Sequence, residues 1–440
     1  MVEVAERIDD KAHYLGDLGR VKSSSPEWIN ALRRDACARF ESLDFPHKRM
    51  EEWRFTNVAP IVRTRFRSTL EPAAHGLTAA DLVGLAYGVP EWSELVFVDG
   101  FYSPDLSRVQ PGVRAGSLSD ALAGDAETLR PYLNRYLNGS GSAFTALNTA
   151  FMLDGAYVSV AKERAVEAPI HLLYITTGLN AETASHPRNL IVLERHASAT
   201  VIESYASLAV DVTYFTNAAT EIAVGEGARL EYIKMLNEGT NGYHLATTRV
   251  HQDRDSSFRS FAIVQGGRIA RNELGVVLDG EGASASLNGL YMTGGEQLVD
   301  NATSIEHAKP HCTSWIGYKG VLDDKSHAVF SGKIMVQRNA QKTDSNQLNQ
   351  NMVLSDKATI DTKPLLEIFA DDVKCTHGAT VGRPPKELVF YFQTRGMSEA
   401  MALGMLTYGF ADEVVNQIEV EPVRARLEKF VYTKYSPIPG

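Results

Sequence analysis

Cysteine is scarce in this sequence: 440 residues hold only Cys37, Cys312 and Cys375, odd in number and far apart. That excludes a disulfide framework and suits a reducing compartment. Positive charge is not in excess either. The formal net charge of −10 excludes the basic patch of a nucleic-acid binder. No run approaches the ~18 consecutive apolar residues of a membrane span. The opening MVEVAERIDD carries acids where a secretion signal needs a basic stretch and then an apolar one. These absences predict a cytoplasmic protein that engages neither nucleic acid nor membrane.

Catalytic signatures are missing too. Ser331-Gly332-Lys333 suggests a phosphate loop, but that loop needs a glycine at 327 and a hydroxyl residue at 334, where His327 and Ile334 stand. Gly266-Gly267 and Gly294-Gly295 lack dinucleotide-binding spacing. There is no G-x-S-x-G elbow and no H-E-x-x-H pair, so nothing reads as a self-sufficient enzyme.

What is present is an ordinary folded composition, 44% hydrophobic and 22% charged, long enough for several domains. Residues 1–154 read as an N-terminal helical and mixed region. Ser25-Pro26-Glu27 predicts a helix start with Ser25 as cap, followed by Trp28, Ile29, Leu32, Ala36, Phe40 and Leu43 at helical spacing. The segment FPHKRMEEWRFTNVAP, with Trp53 among charges, reads as a tertiary anchor. Asp99-Gly100 predicts a hairpin within ELVFVDGFYSP. The Gly/Ser loop opening LNGSGSAFTALNTAF at 137 marks the passage to a new region.

From 155 to 384 helical periodicity gives way to short β-branched runs such as YVSVA, NLIVLER, AATEIAV and AVFSGKIMV. Arg195-His196-Ala197, Gly225-Glu226-Gly227-Ala228, Gly280-Glu281-Gly282-Ala283 and Asp356-Lys357-Ala358 each precede a strand, roughly 30 residues apart with gaps. A β-solenoid with two or three strands per coil is favoured, and an antiparallel sandwich stays open. Pro384-Pro385 ends this texture. Residues 385–440 then predict helices at 386–394, at 398–417 with Ser398 as cap, and at about 421–434. Ala402, Leu406, Phe410 and Val414 follow one another at four-residue spacing, and Gly404 and Gly409 allow another helix, from this chain or from a partner, to come close.

Chemistry concentrates in DTKPLLEIFADDVKCTHGATVGR, 361–383. In a strand, residues two apart share a face, so Cys375 and His377 would stand side by side as soft or borderline metal donors. Two donors do not complete a site, and a buried structural cysteine is the competing reading. His307, His311 and Cys312 in IEHAKPHCTSW form a second candidate cluster, or a structured loop.

Three stretches give the chain a resemblance to the SufB/SufD family of iron–sulfur cluster assembly proteins: FPHKRMEEWRFTNV; the long run from YKGVLDDKSHAVF through QKTD, LSDKA and DTKP to CTHGATVG; and ELVFYFQTRGMSEAMALGMLTYGFADEV. Within the family the chain resembles the SufD branch. SufB-like proteins carry a cysteine within the stretch that here reads Ala340-Gln341-Lys342-Thr343-Asp344, and a glutamate where this chain has Gly378. The resemblance implies a mainly β fold, with a right-handed parallel β-helix core between N- and C-terminal helical regions. It implies a non-enzymatic scaffold that pairs with SufB through the last β-helix strands and with the SufC ATPase through the C-terminal helices, where Leu406, Phe410 and Val414 are the candidate contacts. His377 would be the metal ligand contributed where a nascent cluster or its iron forms, shared transiently with SufB. Cys375 is a second candidate. A homodimer in the absence of SufB, and reduced flavin in the complex, are open. Two other readings compete: an interaction module without metal chemistry, and a polysaccharide-acting β-helix enzyme using carboxylates such as Asp371-Asp372.

Overall fold

The structure, a computed structural model, describes residues 2–21, 25–137, 141–209 and 211–435, with side chains from residue 10 onward. Its body is a parallel β-helix made of two sheets, one of 11 strands and one of 10. Each coil gives one strand to each sheet, so the expected two or three strands per coil resolve to two. Tyr214 lies beside Gly242, Tyr243 beside Ile269, Leu298 beside His327 and His327 beside Thr359. The chain thus climbs one coil roughly every 30 residues, as a solenoid does. The antiparallel sandwich is excluded.

The recurring units in the sequence prove to be corners. His196, Gly227, Asp255, Gly282, His311 and Lys342 all take positive φ, between 53° and 73°. Each donates its backbone N–H to the corner one coil further on: His196 to Glu226, Gly227 to Arg254, Asp255 to Glu281, Gly282 to Pro310, His311 to Gln341 and Lys342 to Asp372. The next residue points into the corner and stays small: Ala197, Ala228, Ser256, Ala283, Cys312 and Thr343, all buried. Asp356-Lys357-Ala358 belongs to the opposite corner, because it leads from the 10-stranded sheet back to the 11-stranded one.

Inside the coils apolar side chains stack from Leu95 and Val158 at one end to Ile334 and Val336 near the other. Within this lumen Glu203 accepts from Lys234 at 3.1 Å, Tyr232 at 2.6 Å and Tyr205 at 2.9 Å. Burial alone would raise the Glu203 carboxyl; Lys234 and the tyrosine hydroxyls hold it below the ordinary range. The hairpin at Asp99-Gly100 forms as expected, pairing Phe97 with Tyr102.

Helices α1 (Val2–Leu18), α2 (Glu27–Ser42), α3 (Ala59–Arg63), α4 (Leu118–Leu129) and α5 (Ala143–Phe151) come before the main run of coils, and α6 (Lys386–Thr394), α7 (Glu399–Val415) and α8 (Glu421–Tyr435) follow it. Pro26 itself occupies the N-cap position of α2, one residue later than the sequence suggests: its ψ of 151° is non-helical while its carbonyl accepts from Ile29 and Asn30. The predicted loop at 137 lies partly outside the described residues; α5 beyond it is buried along its whole length. Trp53 anchors the N-terminal segment on the outer face of the 11-stranded sheet, with the Arg271 guanidinium 4.0 Å over its ring. Thr56 and Arg271 both donate to buried Asp300.

Candidate functional site

Among the described residues the coils end without a cap. The last strand of the 11-stranded sheet is Thr359–Ile368 and the last of the 10-stranded sheet is Lys374–Gly382, joined by an exposed turn. The stretch that reads in sequence as one alternating strand is therefore divided. Leu366 and Ile368 continue the lumen row of Ile334 and Val336. Cys375 and His377 stand in the other sheet, beside buried Ser345 and Gln347 of strand Asp344–Val353. Both donors share the lumen-facing side, as the two-residue spacing requires.

Their surroundings differ. Cys375 is half-buried and packs on the lumen core. Burial, and then the charge of Asp344, push its thiol up, which disfavours the thiolate that binds metal. His377 is exposed at the open end. Among the described residues no group of three or more His, Cys, Asp or Glu stands close enough to hold a metal ion. Cys375 and His377 alone do not complete a metal site, which takes three or four donors.

The open end is also a free sheet edge. Neighbouring residues in a strand turn their backbone groups to opposite sides. Lys374 donates inward to the Thr343 carbonyl at 2.8 Å. Cys375, His377, Ala379 and Val381 therefore present their N–H and C=O groups outward. On the other sheet Thr359 and Phe369 donate inward, to Ser326 and Val336. Pro364, which has no N–H, falls among the outward-facing residues, where no ladder bond is lost. Val381, at 53% exposure, and Phe369, at 56%, add apolar surface to this end. Asp371 and Asp372 are exposed in the turn, and Asp372 is paired with Lys342.

The second candidate cluster does not assemble. His311 and Cys312 fill the positive-φ and small-residue places of the corner stack, and the Cys312 thiol donates to the Gly280 carbonyl at 3.2 Å. His307 is buried, 2.8 Å from Ser314 Oγ, and burial lowers its pKa to about 4.

On α7 the three candidate contacts separate. Val414 is buried in a core formed with Ile233, Phe261, Leu290 and Val321 of the 10-stranded sheet. Leu406 is half-buried, and so is Phe410, whose ring lies under Lys319 Nζ at 4.4 Å. The helix expected at 386–394 forms as α6, but the sequence reading missed its surface: it has no buried residue and exposes Leu388, Phe390 and Tyr391, with Met405 of α7 exposed as well. The signal was there in ELVFYF, five apolar or aromatic residues in six.

Comparison with known proteins agrees with this architecture. Residues 174–410 match the family described as SUF system FeS cluster assembly, SufBD core domain, and residues 11–172 match the SufBD protein N-terminal region. An iron–sulfur cluster assembly SufBD family protein of Synechocystis is 33% identical over 96% of this chain and 95% of its own length. The iron–sulfur cluster assembly protein SufD of Escherichia coli is 31% identical, covering 87% of each chain. SufD of Bacillus subtilis is 27% identical over 94% of this chain and 95% of its own. The chain belongs to the SufBD family of iron–sulfur cluster assembly proteins. Within that family it is SufD-like.

Proposed function

We propose that this chain is a cytoplasmic, non-enzymatic scaffold subunit that pairs with SufB through its open end, docks the SufC ATPase through its C-terminal helices, and contributes His377 where a nascent cluster or its iron is held. The supporting observation is the uncapped last coil, where an incomplete donor set sits on a sheet edge with free backbone groups. A strand from SufB would satisfy those groups, and its side chains would supply the missing donors. Iron and cluster are cargo shared between the two chains. Cys375 is the weaker donor candidate because it is half-buried with a raised thiol pKa. The three regions divide this work: 1–154 clamps the coil stack, 155–384 presents the edge and 385–440 docks the ATPase. In the last, α6 with Leu406 and Phe410 forms the docking face, while Val414 holds α7 to the sheet. Pairing of two copies through the same edge is the expected state without SufB.

Asp371 and Asp372 are exposed in the turn and Asp372 is paired with Lys342, which weakens the polysaccharide-acting reading. The pairing is tested with Val381→Asp. Its side chain is 53% exposed, so the native melting temperature should be retained while co-purification with SufB is lost. Unchanged recovery of SufB would refute docking at this end.

A further inference from the structure

The residue beside His377 in the sheet is Gln347, on the same lumen-facing side. Gln347 is only 2% exposed. Its Nε2 donates across the lumen to the Gly332 carbonyl at 3.3 Å, and its Oε1 has no hydrogen-bond partner. The crossing is possible because position 332 is glycine: a Cβ there would overlap the Gln347 amide. A buried amide oxygen left unpaired costs about 1–3 kcal/mol. Parallel strands lie ~4.8 Å apart, so a ring on the next strand is near enough to relieve that cost by side-chain rotation.

Histidines that bind metal almost always donate their second ring N–H to an acceptor, which fixes the tautomer and aims the lone pair. We infer that Gln347 is the positioning residue for His377: its amide oxygen accepts one ring N–H and leaves the lone pair of the other nitrogen directed at the open end. The inference rests on the reading of His377 as a donor to the cargo. A neutral imidazole carries one N–H and one lone pair, so the bond to Gln347 decides which nitrogen serves which role. Gly332, against the amide, accepts from its nitrogen end and so leaves the oxygen end as the free acceptor. The Ser331-Gly332-Lys333 stretch, which fails as a phosphate loop, thereby acquires a role: its glycine is the seat of the Gln347 amide.

The bond is read directly on the full chain labelled with nitrogen-15 histidine, at a pH where histidine is neutral. The His377 signal is assigned by its loss in His377→Gln. A ring N–H protected from solvent exchange is expected in the native protein and in Gln347→Glu, which keeps an acceptor, and should be lost in Gln347→Leu. In complex with SufB, Gln347→Leu should retain at least about ten-fold less iron at unchanged complex yield, with Gln347→Glu closer to native. An unprotected native ring, or the same ring signal in Gln347→Leu, would overturn the assignment. If the ring signals behave as expected but the His377→Ala complex loads iron fully, the cargo role falls while the hydrogen bond stands.

Discussion

Val414 and Phe390 sit on neighbouring helices and should respond oppositely to the same substitution. Val414 is 3% exposed and packed against the 10-stranded sheet, so Val414→Asp forfeits ~1.5–3 kcal/mol of apolar burial. It also forces a carboxylate into an apolar core, which adds several kcal/mol more. Against a total stability of about 5–15 kcal/mol, that is enough to detach α7 and α8 or to unfold the chain. Phe390 on α6 is 66% exposed, so Phe390→Asp should change stability by no more than about 0.5 kcal/mol. Thermal unfolding followed by circular dichroism, together with capture of SufC by the purified chain, separates the two. Val414→Asp should lower the melting temperature or abolish a cooperative transition. Phe390→Asp should melt normally and fail to capture SufC. A native-like melt for Val414→Asp would refute the packing of α7, and normal SufC capture by Phe390→Asp would refute the docking face.

Acid should weaken the fold well before its carboxylates titrate. Burial lowers His186 to about 3 and His307 to about 4, whereas an unfolded histidine titrates near 6.5. The unfolded chain then binds protons that the native one refuses, so stability present above pH ~6.5 is lost as pH falls toward 3–4, at about 2 kcal/mol per histidine by pH ~5. Denaturant midpoints at the two pH values should show the loss, and His186→Gln should reduce it; an identical pH dependence would refute the assignment. Lys234→Met should cost ~3–5 kcal/mol by stranding the buried Glu203 carboxylate, and Glu203→Gln added to it should recover part of that loss in the same assay.

The helical ends and the solenoid texture were legible because their signals are local. Ser398 caps α7 as the sequence suggests, accepting from Met401 N, and Lys386–Thr394 forms the helix read there. The full coil count was hidden by polar residues on the inside. In strand Asp344–Val353 the buried positions are Ser345, Gln347, Asn349 and Asn351, so the hydrophobic alternation disappears just where the strand is most enclosed. The corners were hidden where Asp255, His311 and Lys342 take positive φ in place of glycine. That substitution also made His311 and Cys312 look like ligands. The spacing of Cys375 and His377 gave their shared face, but not that the coils end beside them. Openness is a property of what does not pack there, and no local pattern encodes it. Nor could alternation alone place Val414, because whether an apolar stripe meets its own sheet or another protein depends on contacts distant in sequence.

In the proposed function His377 gives a ligand atom to the shared cargo. The most direct test is the iron and sulfide content of the purified complex with SufB and SufC carrying His377→Ala, measured together with complex yield. Neutral imidazole binds iron and a methyl group cannot, while His377 is exposed, so its truncation costs at most the ring's one hydrogen bond and leaves the fold in place. The complex should therefore form in native yield with its iron and sulfide largely lost. His377→Cys should retain more than His377→Ala, and Cys375→Ser should be the milder single loss. A His377→Ala complex with full iron and sulfide would show that the imidazole gives the cargo no ligand atom, and loss of the complex itself would show that His377 serves docking and not the cargo.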